Sequence, residues 1–188
     1  MVLPEDAKAL YETMMRQAFN GEITREQMVE AILDSWDLTA PAHRQAMGEA
    51  IVSASRTIRL YPGVLETLAR LRRLGIGTGV ITNTFQSAAE KWQWFAKHGI
   101  ASYLERIISS TEVGLAKPDP AIYQLYVKEC GLCPEQVAFV GHDLDELQGA
   151  QRAGLIGLAF RPDKSGVFAP EFDDFDALPT LIGADDPR

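Results

Sequence analysis

The chain has 188 residues, of which 46% are hydrophobic and 23% charged, ordinary values for one globular domain or one domain with a modest insertion. The formal net charge of −8 and the absence of a basic stripe argue against nucleic acid as a partner, and against binding to an anionic membrane surface. No apolar run reaches the roughly 18 residues of a membrane span and no signal peptide is evident, so with two cysteines we expect a cytoplasmic protein.

The N-terminal third of the chain carries only helical patterns, and we interpret residues 1–58 as a small helical cap. Asn20 and Gly21 end a first helix. Thr24 is followed three residues later by Gln27, a capping box that marks the start of the next helix. The predicted helices are Asp6–Ala18, a second that begins at Thr24, and Pro41–Ile58.

From residue 59 onward, short apolar runs alternate with amphipathic helices. This alternation is typical of a parallel sheet with helices on both faces, so we predict an α/β fold with a Rossmann-like core at residues 59–188. The predicted strands are Gly79–Thr82, Arg106–Ser109, Val137–Val140 and Ile156–Phe160. Predicted helices begin at Pro62 and lie at Ser87–His98, Asp119–Glu129 and Glu146–Ala153. Ligands of such sheets bind beyond the carboxyl ends of the strands.

Two of the candidate site segments could hold a phosphate. Thr82 and Asn83 end the first strand, where a hydroxyl and an amide can donate to phosphate oxygens, although ordinary turns favour the same residues. Lys117 follows the second strand and precedes Pro118 and a helix start. A lysine there can reach a bound phosphate, whereas most lysines in such loops are simply solvated.

The third strand is followed by an acidic cluster that could hold a metal. Asp143, Asp145 and Glu146 lie within four residues, and such carboxylates repel one another unless a cation lies among them. Mg²⁺ takes one or two carboxylates together with water and phosphate. The alternative is that the acids cap the following helix, which would explain Asp145 and Glu146 but not the whole cluster.

The order of these segments on successive strands resembles the motifs of the haloacid dehalogenase superfamily. The resemblance covers about residues 58–160, and the helical residues 5–58 look like that family's small cap. It implies that Thr82, together with Asn83, and Lys117 bind phosphate. It also implies that Asp143 and Glu146 belong to a Mg²⁺ site, which His142 weakens because it stands where the family usually has an acidic residue.

No residue of this sequence matches the family's catalytic nucleophile. Family members of this kind begin with a strand ending in Asp-x-Asp, whose first Asp is the nucleophile, and only Met1–Pro4 precede the first cap helix here. We therefore expect the chain as given to be inactive. An incomplete N-terminus is the preferred explanation, and a sheet closed differently around Met1–Leu3 is the other. Asp143-Leu144-Asp145 follows a strand but occupies the metal motif, and Asp174-Phe175-Asp176 is interpreted as surface.

The resemblance implies a Mg²⁺-dependent phosphatase for a small phosphorylated metabolite in its full-length form. Two alternatives remain open: a 2-haloacid dehalogenase, whose chemistry needs no metal, and a binding or regulatory protein without turnover. The expected partner is a small phosphorylated molecule or anion, and the oligomeric state is not readable from the sequence.

Overall fold

The computed structural model describes residues 5–54 and 59–184. Its helices are α1 (Glu5–Phe19), α2 (Arg25–Ser35), α3 (Pro41–Ala54), α4 (Val64–Arg73), α5 (Ala88–Lys97), α6 (Ser110–Val113), α7 (Pro120–Cys130), α8 (Leu144–Arg152) and α9 (Leu178–Leu181), with short 3₁₀ turns at Ala101–Tyr103, Pro134–Gln136 and Phe175–Ala177. The strands are β1 (Thr78–Thr82), β2 (Leu104–Ser109), β3 (Ala138–Gly141), β4 (Ile156–Phe160) and β5 (Glu171–Phe172). Within these described ranges, no helix is long and apolar enough to cross a membrane.

The N-terminal helices form as the sequence predicts. At the start of α2, the Thr24 hydroxyl accepts from the Gln27 N–H at 3.1 Å, and the side-chain Oε1 of Gln27 accepts from the Thr24 N–H at 2.8 Å, which confirms the capping box. The end predicted for the third helix, residues 55–58, lies outside the described residues, as do residues 1–4. The buried side chains of this region form one cluster of Ala18, Met28, Val29, Ile32 and Leu33.

The strands pair differently from the single sheet that the sequence predicts. In the described residues, β1 and β2 form one parallel pair, and β3, β4 and β5 form a separate parallel sheet. No described strand pairs with β1 on the side away from β2, or with β3 on the side away from β4. The parallel direction and the α/β class are confirmed, but the continuity of the sheet is not, because hydrogen bonding between β1 and β3 is absent among these residues.

Helices lie on both faces of the strands, as predicted. Along β4, Leu158 and Phe160 pack with Leu71 of α4 and with α9, whereas Ala159 between them packs with Leu147 of α8. Successive side chains of a strand point to opposite faces, so α4 and α8 cover opposite sides. Helix α7 lies with α8 in a third cluster that includes Ile108 of β2.

The loop after β1 joins the core to the helical cap. Phe85, which is 9% exposed, belongs to the buried cluster of the cap and stacks on Phe19 of α1 with 6.4 Å between ring centres. Gly21 has a φ of +69° and lies so close to Thr111 that a Cβ would be 2.8 Å from its carbonyl oxygen. An ion pair of 3.1 Å between Arg25 of α2 and Glu90 of α5 also links the cap to the core across this boundary. The position of the cap therefore depends on Phe85.

Lys91 is a buried cation beside this boundary. It is 7% exposed, and its Nζ lies 4.2 Å from the centre of the Trp94 ring. Burial lowers the pKa of Lys91 to about 8, because removing an ammonium from water disfavours the charged form, and the negative charge of Glu90 opposes the shift only in part. The folded pKa is thus below the unfolded value, so the unfolded chain binds more protons between the two values and stability rises with pH across that window.

We expect Phe85→Ala to destabilise the protein by about 3 kcal/mol and to loosen the cap, because it removes the side chain by which the loop after β1 packs into the buried cluster of the cap. Phe172→Ala is the matched control, since Phe172 is 7% exposed but packs only within the core cluster around β4. Denaturant unfolding measures the loss in both variants, and limited proteolysis under native conditions locates it. Faster cleavage within residues 8–53 should appear for Phe85→Ala alone; equal cleavage in the two variants would contradict the anchoring role.

We expect Lys91→Met to stabilise the protein by about 2 kcal/mol at pH 7, where the buried ammonium is charged at a cost, and to stabilise it less as the pH rises from 8 to 10. Lys97→Met is the control, because Lys97 is exposed on the same helix. Thermal or urea unfolding across this pH range measures the difference. A stability gap between Lys91→Met and the parent that does not narrow with pH would count against the buried charge.

Candidate active site

The side chain of Asn83 ties the end of β1 to the loop that carries Lys117. Its carbonyl oxygen accepts from the Lys117 N–H and its amide donates to the Lys117 carbonyl, both at 2.8 Å. This bidentate pairing satisfies both backbone groups of Lys117. The predicted contact between Asn83 and phosphate stays a prediction; what the structure shows is that Asn83 positions Lys117.

Two buried serines at the end of β2 hold the loop that follows Thr82. Ser109 donates to the Gln86 carbonyl at 2.6 Å. The Ser110 hydroxyl accepts from the Thr84 N–H at 3.0 Å and donates to the Thr84 carbonyl at 3.2 Å. The Gln86 N–H is directed to the Thr84 hydroxyl. The amides of Thr84 and Gln86 are thus engaged within the loop and are not free for an anion, whereas the Thr82 hydroxyl makes no hydrogen bond to a described residue.

Lys117 reaches across to the end of β3. Its Nζ lies 2.8 Å from Glu146 Oε2 at the start of α8, with the two side chains 12% and 20% exposed. The ring of Phe139 lies beside the same ammonium, with its centre 5.5 Å away. The Tyr123 hydroxyl donates to the Glu146 carbonyl at 2.7 Å, and burial raises the pKa of Tyr123, so it stays a donor at neutral pH. Lys117 therefore links the β1–β2 pair to the β3 sheet.

The acidic cluster after β3 divides into two functions. Asp143 is the N-cap of α8, and its Oδ1 accepts from the Glu146 N–H at 2.9 Å. The helix-capping alternative is confirmed for Asp145 and Glu146, which lie in the first turn of α8, and the N-cap residue itself is Asp143. Asp143 and Glu146 are both half-buried, each with one oxygen engaged, whereas Asp145 and His142 are exposed. In the described part of the chain, no three His, Cys, Asp or Glu side chains converge to hold a metal ion.

These two carboxylates fit Mg²⁺ only as a partial ligand set. Each retains an oxygen that makes no hydrogen bond or ion pair with a described residue. Mg²⁺ is usually bound through one or two carboxylates, and water and phosphate fill its remaining positions. Asp143 and Glu146 could supply the protein's share of such a site. The prediction that they ligate metal is chemically consistent with their positions and stays a prediction.

A cavity of about 390 Å³ lies where the cap meets Asn83 and the Lys117 loop. Its core side is formed by Asn83, Ala116 and Lys117. Its cap side is formed by residues of α1: Tyr11, Glu12, Met15, Arg16 and Phe19. The site that the sequence places at strand ends thus also has a wall of cap residues, which strand-end reasoning could not identify.

The structure brings together Asn83, Lys117, Asp143 and Glu146, with Thr82 adjoining Asn83 in the chain. Sequence reasoning missed Ser109, Ser110 and Tyr123. Ser109 ends a predicted strand and Ser110 follows it, which was the available signal, but only their hydrogen bonds to the facing loop reveal what they do. Asp174 and Asp176 are exposed, in agreement with their interpretation as surface.

Comparisons with known proteins agree on one family. The profile of haloacid dehalogenase-like hydrolases matches residues 4–154. A glyceraldehyde 3-phosphate phosphatase of Methanopyrus kandleri is 32% identical over 118 residues, which is 62% of this chain and 50% of that protein. A phosphoserine phosphatase of Thermus thermophilus is 30% identical over 138 residues, which is 73% of this chain and 52% of that protein. The chain thus spans about half the length of these curated relatives.

The fold is also shared with solved structures. A dehalogenase crystal structure with an intermediate complex superposes with a TM-score of 0.70 at 21% identity, covering 94% of this chain and 83% of that one. At this level of identity the likeness concerns the fold.

A glycine in α8 allows the Lys117 loop to lie against the helix. A Cβ on Gly149 would be 3.0 Å from the carbonyl carbon of Pro118 and closer still to its oxygen. Since the obstructing atoms belong to the backbone, no side-chain rotation relieves the contact, and the loop that carries Lys117 would have to move.

We expect Gly149→Ala to destabilise the protein by about 1–3 kcal/mol through this overpacking, although alanine is the better helix former. Gly48→Ala is the matched control inside α3, where the nearest atom to a new Cβ is a methyl group of Val29 at 3.2 Å. Chemical unfolding compares the two. Amide NMR should show displaced signals for residues 116–118 in Gly149→Ala only; a Gly149→Ala variant as stable as the parent would contradict the close approach.

Proposed function

The chain belongs to the haloacid dehalogenase-like hydrolase family, and from this membership we propose that the protein is a Mg²⁺-dependent phosphatase acting on a small phosphorylated metabolite. Two curated relatives support the phosphatase reading, one named for glyceraldehyde 3-phosphate and one for phosphoserine. The fold alone does not define the reaction, because one fold serves many chemistries, so the reaction is inferred from the residues of the site.

The observation that carries the proposal is the meeting of three chain segments at Lys117. The Asn83 amide holds the backbone of Lys117, and Glu146 holds its ammonium. In our proposal Lys117 and the Thr82 hydroxyl bind the phosphoryl oxygens, as a point charge and a neutral donor. Asn83 acts through Lys117 and is a positioning residue.

Asp143 and Glu146 are the proposed metal ligands. Mg²⁺, when bound, would offset the charge of the phosphoryl group. If Glu146 bound the metal, its carboxylate would neutralise Lys117 less, and the Lys117 ammonium would be available to the phosphate.

The nucleophile in this proposal is an aspartate on a strand placed between β1 and β3. The apolar residues Val80, Ile81, Phe139 and Val140 on these two strands are only half-buried, and each strand has one unpaired edge among the described residues. Parallel strands are normally buried on both faces and paired. An aspartate carboxylate there would attack the phosphorus and displace the alcohol of the substrate, and water would then cleave the aspartyl-phosphate to phosphate and the free aspartate. Asp143 does not replace it, since its carboxylate caps α8.

Hydrolysis of 2-haloacids is a second candidate, favoured by one observation. His142 occupies the expected acidic position and is exposed, so the metal site has fewer carboxylates than the phosphatase chemistry commonly uses. A cation such as Lys117 would suffice for the carboxylate of a haloacid. Anion binding should depend on Mg²⁺ if the protein is the phosphatase and should not depend on Mg²⁺ if it hydrolyses 2-haloacids.

We expect inorganic phosphate to bind the chain in the millimolar range, as a few partly exposed charge-assisted contacts allow. Amide NMR should show shifts at Thr82–Thr84 and Ala116–Lys117, and Lys117→Ala should abolish them. Lys128→Ala is the control, because Lys128 is an exposed lysine in the last turn of α7. Shifts elsewhere, or shifts that survive Lys117→Ala, would contradict the proposed site.

The same titration tests the exchange of partners at Lys117. Without Mg²⁺, Glu146→Gln should tighten phosphate binding, because it removes the carboxylate that competes for the ammonium. With Mg²⁺, the parent should bind phosphate more tightly and Glu146→Gln should lose that gain. Asp145→Asn, at an exposed acid one residue earlier, should do neither. Phosphate binding that is indifferent to Mg²⁺ would favour the metal-free hydrolase.

A further inference from the structure

We propose that Phe139, in β3, is a positioning residue of the candidate site, and that the face of its ring holds the Lys117 ammonium in place to bind a phosphoryl oxygen. The inference rests on the proposed function, in which Lys117 binds the phosphoryl group. It adds a partner for the ammonium that does not compete with a metal, because a phenyl ring offers no oxygen ligand to Mg²⁺.

Two groups of different kinds lie beside the Lys117 ammonium. Glu146 Oε2 lies 2.8 Å from the Lys117 Nζ, and the centre of the Phe139 ring lies 5.5 Å from the same atom. A cation within about 6 Å of a ring centre is attracted by the negative face of the ring, and the attraction grows where water is excluded. The Lys117 side chain is 12% exposed, so little water surrounds it. If Glu146 bound a metal, the ring would still hold the ammonium.

The Phe139 ring is itself held in place by Tyr123. The two rings meet edge to face, with 5.1 Å between their centres and 84° between their planes. Tyr123 is fully buried, and its hydroxyl donates to the Glu146 carbonyl at 2.7 Å. Lys117 thus contacts Phe139 and Glu146, and Tyr123 contacts the same two residues. This closed set of four contacts defines the direction of the ring face that Lys117 meets.

Gly141 provides the space that the ring occupies. Phe139 and Gly141 are two residues apart in β3, so they lie on the same face of the strand. A Cβ on Gly141 would lie 2.8 Å from Cε1 and 3.3 Å from Cζ of Phe139. The ring therefore lies over Gly141, towards the carboxyl end of β3 where Lys117 and Glu146 meet. Gly141 does not have a positive φ, so an alanine there would displace the ring and leave the backbone unstrained.

The ring of Phe139 also packs with apolar residues of two buried clusters. Its effect on Lys117 therefore has to be separated from its volume. Leucine fills much of the same space but has no ring face. Pentafluorophenylalanine keeps the ring and its packing but reverses the sign of the charge on the face, whereas tyrosine keeps both the ring and that sign.

The test is a titration of the chain with inorganic phosphate, followed by amide NMR. In the Glu146→Gln background, Phe139→Leu should weaken phosphate binding about threefold, because an ammonium without either partner has to be ordered when the anion binds. The loss should be smaller with Glu146 present, since the carboxylate then still holds the ammonium. Phe139→Tyr should bind phosphate as the parent does, and pentafluorophenylalanine at this position should behave like leucine.

Two further variants test the geometry. Gly141→Ala should weaken phosphate binding as Phe139→Leu does, and should add nothing when combined with it. Phe172→Leu is the matched control, because Phe172 packs on the rings of Phe160 and Phe175 and not on Lys117. In the parent, the ring current of Phe139 should shift the ε-methylene protons of Lys117 upfield, and this shift should disappear in Phe139→Leu but persist in Phe172→Leu.

The outcomes separate the two proposals. Phosphate binding that survives Lys117→Ala overturns the proposed function. Binding that requires Lys117 but is unchanged by pentafluorophenylalanine at position 139 overturns the role of the ring alone, and so do equal losses in Phe139→Leu and Phe172→Leu. Should Phe139→Leu not fold, the tyrosine and pentafluorophenylalanine variants decide the question, because both retain the packing of the ring.

Discussion

The pairing between the Asn83 side chain and the backbone of Lys117 is the contact on which the candidate site depends. It uses both polar groups of the amide and both backbone groups of one residue, so it defines the direction of the Lys117 loop as well as its distance from β1. Lys117 can then reach Glu146 on the far side. The strands β1 and β3 are not hydrogen-bonded to each other among the described residues. The ends of these strands are therefore connected through Lys117 only while Asn83 holds its backbone.

The loop after β1 serves the cap and the site together. Ser109 and Ser110 hold its backbone from the core side, whereas Phe85 inserts into the cap cluster. The loop has few alternative conformations, because its polar groups are hydrogen-bonded to the two serines and the Phe85 ring is buried at the same turn. The cavity wall on α1 therefore lies in a defined position relative to Lys117.

Charge balance explains why the ends of the strands can hold so many ionic groups. Lys117 and Glu146 neutralise each other in a partly buried position, and Asp143 is stabilised at the N-terminus of α8. An incoming phosphate and an incoming cation would each take one member of the Lys117–Glu146 pair. In the proposed function, binding of the two ligands would be coupled through side chains that already meet.

The sequence by itself determined the class of fold, the order of the elements and the chain positions of Thr82, Lys117 and the acidic cluster. These follow from local rules: strand and helix periodicity, the capping box at Thr24, and strand ends that expose polar residues. Only the tertiary structure decided that Asn83 binds Lys117, that Glu146 pairs with it and that α1 forms the opposite wall, because those partners are 34 and 29 residues apart or lie in the cap. It also decided that the described strands form two separate sheets. Backbone pairing and side-chain pairing at such separations depend on which surfaces meet when the chain packs, and no local pattern encodes that choice.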